Sequence, residues 1–214
     1  MCRTNGSVWD ASSGYDSDSA ATIAIRDDCL RRLIAIVLCC ILLSGCKKTD
    51  DAMDKALSLR QKLMTASGCR FDCKITADYG KLVYEFLLDC EFDQNGTMQF
   101  TVVEPESIAD IAGEISSQGG LLTFDDTALG FPLMADGYLS PVSAPWIFIK
   151  ALRGGYIHAC GADDSGVRMI LHDSYEESPL QIDVWIDEEI PHHCDILWQG
   201  KKILSLDVND FQCL

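Results

Sequence analysis

The sequence predicts an α+β protein made mainly of antiparallel β-strands. Three consecutive stretches, 69–78, 81–92 and 98–102, alternate apolar and polar side chains, which is typical of strands that bury one face. Turn-forming residues separate these stretches, so neighbouring strands are expected to pair as hairpins. Apolar residues at helical spacing are confined to a few short segments.

The segment from Arg31 to Cys46 has the features of a lipoprotein export signal. Two arginines precede eleven uncharged, mostly aliphatic residues, 33–43. At ~1.5 Å per residue these reach only ~17 Å, which is too short for a bilayer core of ~30 Å. Leu43-Ser44-Gly45-Cys46 resembles a lipobox, and such a box implies a diacylglyceryl group on Cys46. Two acyl chains form a stable membrane anchor.

This signal divides the chain into four parts. Residues 1–28, rich in Ser, Asp and Ala, are a disordered leader or a wrongly assigned start. Residues 29–45 are the signal peptide and 46–50 a polar tether. Residues 51–214 are long enough for a single globular domain. The expected location is the cell membrane, with the domain lipid-anchored and facing outside the cytoplasm.

The first predicted element after the tether is an amphipathic helix. Apolar residues from Ala52 to Ala66 recur every three or four positions, which predicts a helix over 51–67. Asp50 is placed to cap its start and Gly68 to end it.

The next two strands form a hairpin whose predicted register brings two cysteines together. A two-residue loop at Tyr79-Gly80 pairs Asp78 with Lys81 and sets Cys69 opposite Cys90. The pair is expected at a non-hydrogen-bonded position, where Cα atoms lie ~4.5 Å apart, so a disulfide is feasible in an exported protein. The alternative is two free thiols that pack as small hydrophobes.

The rest of the chain predicts two short helices and further strands. Pro105 ends the third strand, and Ser107 opens a helix that Gly119-Gly120 closes. A segment from Pro145 to Leu152 is apolar nearly all round, so this helix must be buried or lie over an apolar groove. The remaining strands are expected at 121–124, 156–160, 167–173, 180–186, 194–198 and 204–208.

Charge and motifs exclude several functions. A formal net charge of −16 repels nucleic acid. No G-x-S-x-G, phosphate loop, dinucleotide fingerprint or H-E-x-x-H occurs in the sequence, so we predict neither an enzyme nor a bound cofactor. His192-His193-Cys194 predicts no metal site, because neighbours on a strand face opposite ways and only His192 and Cys194 could share one.

Six aromatic residues mark the predicted apolar face. They form either plain core or the lining of a lipid-sized cavity, and the pattern leaves both open. Phe86, in the second strand, is expected to be buried. The six residues are Tyr84, Phe86, Phe100, Phe124, Trp146 and Phe148.

The order of elements over about 51–210 resembles the LolA and LolB lipoprotein-carrier family. It carries an N-terminal helix, three antiparallel strands, a Pro-stopped third strand with a short helix, and a closing run of strands. The resemblance implies a strongly curved, half-open barrel sheet whose concave apolar face is covered by short helices and binds acyl chains. The anchor makes the chain more similar to membrane-tethered members, including Gram-positive germination lipoproteins.

Two functions follow from this reading. The first is an anchored envelope protein that binds a lipid, an acyl chain or another apolar ligand. The alternative is a non-enzymatic scaffold lipoprotein that acts through an envelope protein partner by an exposed edge or patch.

Overall fold

A computed structural model shows that the alternating strands form one large antiparallel sheet. The structure describes residues 47–125, 127–135 and 138–214. Lys47–Leu214 form one compact unit. The strands of the large sheet are β1 (Gly68–Asp78), β2 (Val83–Asp93), β3 (Met98–Glu104), β4 (Ala112–Ser116), β5 (Gly119–Phe124), β6 (Thr127–Phe131), β9 (Tyr156–Asp163), β10 (Gly166–His172), β11 (Gln181–Asp187), β12 (Ile190–Trp198) and β13 (Lys201–Cys213).

Two helices and a small hairpin complete the described fold. Helix α1 spans Lys47–Thr65 and α2 spans Ala144–Gly154. Short 3-10 turns cover Glu106–Ile108 and Pro141–Ser143. Strands β7 (Met134–Ala135) and β8 (Tyr138–Leu139) pair only with each other.

The sheet is open and runs in the order β6-β5-β4-β3-β2-β1-β13-β12-β11-β10-β9. Its first and last strands, β1 and β13, lie side by side near the centre, while β6 and β9 form unpaired edges. Every pairing is antiparallel, because each strand pairs with its sequence neighbour or closes the chain back on itself. The predicted α+β class with a curved half-open barrel sheet is confirmed.

Both helices cover the apolar face of the sheet. Helix α1 buries one stripe, Ala52, Ala56, Leu59 and Leu63. Eight of the eleven residues of α2 are buried, as its all-round apolar sequence requires. Phe148 of α2 packs edge-on against Phe71 of β1, with ring centroids 5.9 Å apart. This face of the sheet, between helices and strands, is therefore the core.

The predicted register of the first hairpin is wrong by two residues. Asp78 pairs with Val83, so the loop comprises residues 79–82 rather than two residues. Cys69 consequently lies opposite Phe92, and Cys90 lies opposite Phe71. A shift of two keeps every apolar side chain on the same face, so the apolar pattern could not distinguish the two registers.

Two predicted helix boundaries also need correction. Helix α1 begins at Lys47, inside the predicted tether 46–50, because charged residues there continue the helix without any apolar signal. The helix predicted from Ser107 is instead a single 3-10 turn followed by β4. Residues 112–115 pair with β3. The isoleucines at 108, 111 and 115 have helical spacing, but β-branched residues suit a half-buried strand as well.

Candidate ligand cavity

An apolar cavity of about 340 Å³ lies against helix α2. Its walls come from α2, from the ends of β11, β12 and β13, from the segment around β7 and β8, and from the turn between β4 and β5. Most of its lining is aliphatic or aromatic. The lining residues are Ser117, Leu133, Leu139, Trp146, Ile147, Lys150, Ala151, Gly154, Gly155, Asp173, Leu180, Ile182, Trp198 and Ile203.

Trp146 is fixed in the wall by its own hydrogen bond. Its indole N–H donates to the carbonyl of Gly96, in the β2–β3 turn, at 2.9 Å. The side chain is 5% exposed, and the Lys150 Nζ sits 4.6 Å from the centre of its ring. The ring therefore offers an apolar surface whose position is set before any ligand binds.

Helix α1 holds α2 in place through Arg60. The guanidinium donates to the carbonyls of Leu152 and Gly155 at 2.8 Å each, and to that of Ala151 at 3.4 Å. These carbonyls belong to the C-terminal turn of α2, where a helix lacks internal donors. Partial burial lowers the pKa of Arg60. One charged side chain thus donates hydrogen bonds to the C-terminal carbonyls of the helix that lines the cavity.

Two charged residues lie in the lining. Asp173 is engaged within the wall, since its Oδ1 accepts the backbone N–H of Leu180 at 2.7 Å. Lys150 is exposed, and no ion pair within 4.0 Å joins it to a carboxylate of the described residues. The cavity therefore combines an apolar wall with one cation that no carboxylate of the described residues pairs with.

One of the six sequence-predicted aromatic residues, Trp146, lines this cavity. Phe148 and Phe100 are buried in the core. Phe86 is half-buried rather than buried, while Tyr84 and Phe124 are 43% and 59% exposed. The apolar face is no longer covered by the helices near the β1–β2 turn and near the β5–β6 edge, so its aromatic side chains become exposed there. Alternation along a strand does not show where this cover ends.

The cavity also contains residues that the sequence did not single out. Leu180 directly precedes β11, and Trp198 and Ile203 belong to the β12–β13 hairpin. All three follow Trp146 by more than 30 residues. Trp198 follows the alternation of its predicted strand, but Ile203 directly precedes the predicted strand 204–208 and is out of phase with its apolar residues. Only the sheet order brings them to α2.

The predicted lipid attachment site, Cys46, falls outside the described residues.

The six cysteines within the described residues are free thiols, so the predicted bond between Cys69 and Cys90 is absent, in line with the corrected register. Burial raises the pKa of the Cys69 thiol to about 12 and that of Cys90 well above its ordinary value. Such thiols stay protonated at neutral pH, so they react slowly with external reagents and are poor metal ligands.

The outer face of β12 and β13 carries a polar network around His193. His193 Nδ1 lies 2.7 Å from an oxygen of Asp207, and its Nε2 lies 3.2 Å from Asp195. Ser205 Oγ donates to the same Asp195 oxygen at 2.6 Å, and Lys202 approaches Asp195 at 3.3 Å. Each of these polar side chains therefore has a hydrogen-bond or ion-pair partner on the same sheet.

Metal coordination receives no support in the part of the chain that the structure describes. No group of three or more His, Cys, Asp or Glu side chains there is arranged to hold an ion. Cys194 is fully buried in the core, which raises its pKa, so it cannot join His192 at an open site.

Among the helices of the described residues, none combines the length and the apolar content needed to cross a bilayer.

This chain is similar to several solved structures, three of which are named here with their measures of similarity. They are a LolA superfamily protein from Nitrosomonas europaea (9% identity, TM-score 0.40, covering 74% of this chain and 93% of that chain), the lipoprotein LppX from Mycobacterium tuberculosis (11%, 0.37, 74% and 92%), and a DUF1329 family protein from Desulfovibrio piger (8%, 0.43, 78% and 93%). The first of these is described as a member of the LolA superfamily, the family that the sequence resembles. No family model and no curated protein matches the chain.

Proposed function

We propose that this chain is a lipid-anchored envelope protein that binds an acyl chain or a similar apolar ligand in the cavity beneath α2. The observation that supports this proposal is a largely apolar cavity of about 340 Å³ against helix α2. Sites for small apolar ligands are concave, mostly apolar and roughly 300–1,000 Å³ in volume.

The energetics of the cavity favour a chain-like ligand. Each methylene moved from water to an apolar wall gains roughly 0.8 kcal/mol, so eight buried methylenes gain roughly 6 kcal/mol before the entropy of binding is subtracted. Trp146, Ile182 and Trp198 supply rigid apolar surface for such contacts. An acyl chain meets that surface along its length.

A catalytic function is not part of the proposal. Ser205, His193 and Asp207 form a hydroxyl–imidazole–carboxylate series on the outer sheet face. The Ser205 hydroxyl is 3.5 Å from His193 Nε2 but donates to Asp195 at 2.6 Å. A serine whose proton is held by a carboxylate is not activated by the imidazole.

Native mass spectrometry of the protein purified from envelopes tests the proposal. Co-purifying species with the masses of acyl lipids, released on denaturation, are the expected result. A clean protein mass, together with no uptake of added palmitate, would contradict it.

A second candidate function is a scaffold role through a protein partner. Exposed apolar side chains cluster at the β1–β2 turn, where Leu82, Val83 and Tyr84 are 57%, 59% and 43% exposed. Apolar residues grouped on a surface are typical of contact sites. Cross-linking that recovers one stoichiometric envelope protein, and loses it in Leu82→Asp, would favour this role.

A further inference from the structure

The cavity wall carries a cation that the apolar ligand of the proposed function leaves unused. Lys150 projects from the middle of α2 and lines the cavity. Its ammonium lies over the ring of Trp146, which is itself fixed by its bond to Gly96. A cation placed on a rigid aromatic face loses little freedom when it pairs with an anion.

The second charged lining residue does not neutralise this cation. Asp173 accepts the N–H of Leu180 and closes the turn before β11. No ion pair joins it to Lys150 among the described residues. In a chain with a formal net charge of −16, the one lining cation is therefore a local exception to the surrounding field.

From this arrangement we infer that the cavity selects a single-chain amphiphile with an anionic headgroup, whose chain fills the apolar wall and whose anion pairs with Lys150. The inference rests on the proposed function. A volume of about 340 Å³ lies at the lower end of ligand-site volumes, so one acyl chain fits it better than two. The shared headgroup chemistry is a carboxylate or a phosphate.

Binding measured by intrinsic tryptophan fluorescence tests the inference, because Trp146 and Trp198 both line the cavity. The full chain carrying Cys46→Ala, which removes the predicted lipid acceptor, is made by cell-free synthesis without lipid. Palmitate and hexadecanol are compared as probes with the same chain and different headgroups. Lysophosphatidylglycerol, which has a phosphate headgroup, is the third probe. Its comparison with palmitate shows whether the site prefers a phosphate or a carboxylate.

Palmitate or the lysophospholipid should bind about tenfold more tightly than hexadecanol, as a charge-assisted contact requires. Lys150→Met should remove that preference and leave hexadecanol affinity within about twofold, because its unbranched chain keeps the apolar contact. Lys55→Met, on the exposed face of α1, is the matched control and should change nothing.

Equal binding of palmitate, the lysophospholipid and hexadecanol would overturn the inference while leaving the proposed function intact. An anion preference that survives Lys150→Met would also overturn it. No binding of any of the three probes would overturn both.

A separate observation concerns the cysteine at the end of the sheet. Cys69 of β1 lies directly opposite Cys213 of β13. The N–H of Leu214 donates to the carbonyl of Gly68 at 2.9 Å, which makes the two cysteines a non-hydrogen-bonded pair. Such pairs hold their Cα atoms ~4.5 Å apart with side chains on one face, within the range that a disulfide spans.

The register points to Cys69 and Cys213, rather than Cys69 and Cys90, as the pair that an external disulfide oxidises. With oxidised glutathione, the exposed Cys213 thiolate attacks one sulfur and releases one glutathione. The Cys69 thiolate then attacks Cys213 Sγ and releases the second. Two protein thiols are oxidised, one glutathione disulfide is reduced, and the two protons end on the glutathione thiols.

Peptide mapping without reductant, across a series of glutathione ratios, tests this pairing in the full chain. A peptide joining Cys69 to Cys213 is expected at oxidising ratios, absent in Cys213→Ser and retained in Cys160→Ser. The pairing is overturned if both residues are alkylated at the most oxidising ratio, if Cys213 stops at its glutathione adduct, or if Cys69 is joined to Cys90.

Discussion

At the scale of single residues, burial changes abruptly along β2. Phe86 is half-buried and Leu88, two positions further on the same face, is fully buried. Leu88→Ala should therefore lower the free energy of unfolding by roughly 2–5 kcal/mol, since it leaves a cavity in the core. Phe86→Ala, although it removes more atoms, should lower it by less. Urea denaturation of both variants checks this, and the reverse order would mean that the helix-covered region extends further along β2.

Stability should depend on pH through the network around His193. Hydrogen bonding to Asp195, then to Asp207, raises the pKa of His193 despite its burial. Burial alone would raise the pKa of Asp195, but hydrogen bonds from His193 and Ser205 and the charge of Lys202 lower it to about 2. A raised imidazole pKa stabilises the fold fully below the unfolded value of ~6.5 and loses that effect as pH rises through the folded value.

The carboxylate acts in the opposite direction. Its contribution is present above the unfolded value of ~3.9 and is lost as pH falls toward 2. The melting temperature should therefore peak between about pH 4 and 6.5. In thermal denaturation, His193→Gln should reduce the fall in melting temperature that the wild type shows as pH rises above this range. A wild-type curve that is already flat from about pH 6 to 8 would show that the network contributes nothing.

At the scale of elements, the contact of α1 with α2 depends on one side chain. Arg60→Ala removes three hydrogen bonds to the C-terminal carbonyls of α2 and should lower the free energy of unfolding by roughly 2–3 kcal/mol. Amide hydrogen exchange should become faster at the end of α2. Lys55→Ala, exposed on the same helix, is the control and should stay within about 0.5 kcal/mol. Equal effects of the two variants would contradict this role of Arg60.

The strands themselves could be predicted from local sequence, because alternation has a period of two and β1, β2 and β3 show it clearly. Their register could not, since a slip of two residues preserves every apolar pairing. The pairing of Cys69 with Cys213 joins the first and last strands of the sheet, β1 and β13, so no local pattern contains it. The cavity wall is likewise assembled from distant segments, and of the six predicted aromatic residues only Trp146 lines it.

At the scale of the whole molecule, the predicted lipid anchor at Cys46 can be tested by removing the acceptor thiol. Cys46→Ala should release the protein from membranes and block processing of residues 1–45, because the two acyl chains would have no acceptor. Fractionation and labelling with a palmitate analogue measure both effects. A Cys46→Ala protein that is still labelled and still sedimented with membranes would refute the lipobox.

We propose above all that the cavity against α2 holds an acyl chain. Ala151 lines that space, is 5% exposed and can carry a larger side chain into it. Ala159→Phe adds the same volume at an exposed position of β9 outside the cavity. Native mass spectrometry of wild type, Ala151→Phe and Ala159→Phe, each purified from envelopes, compares the bound lipid directly. We predict lipid on the wild type and on Ala159→Phe, and its loss from a folded Ala151→Phe protein. Equal lipid on all three proteins, or none on the wild type, would contradict the account.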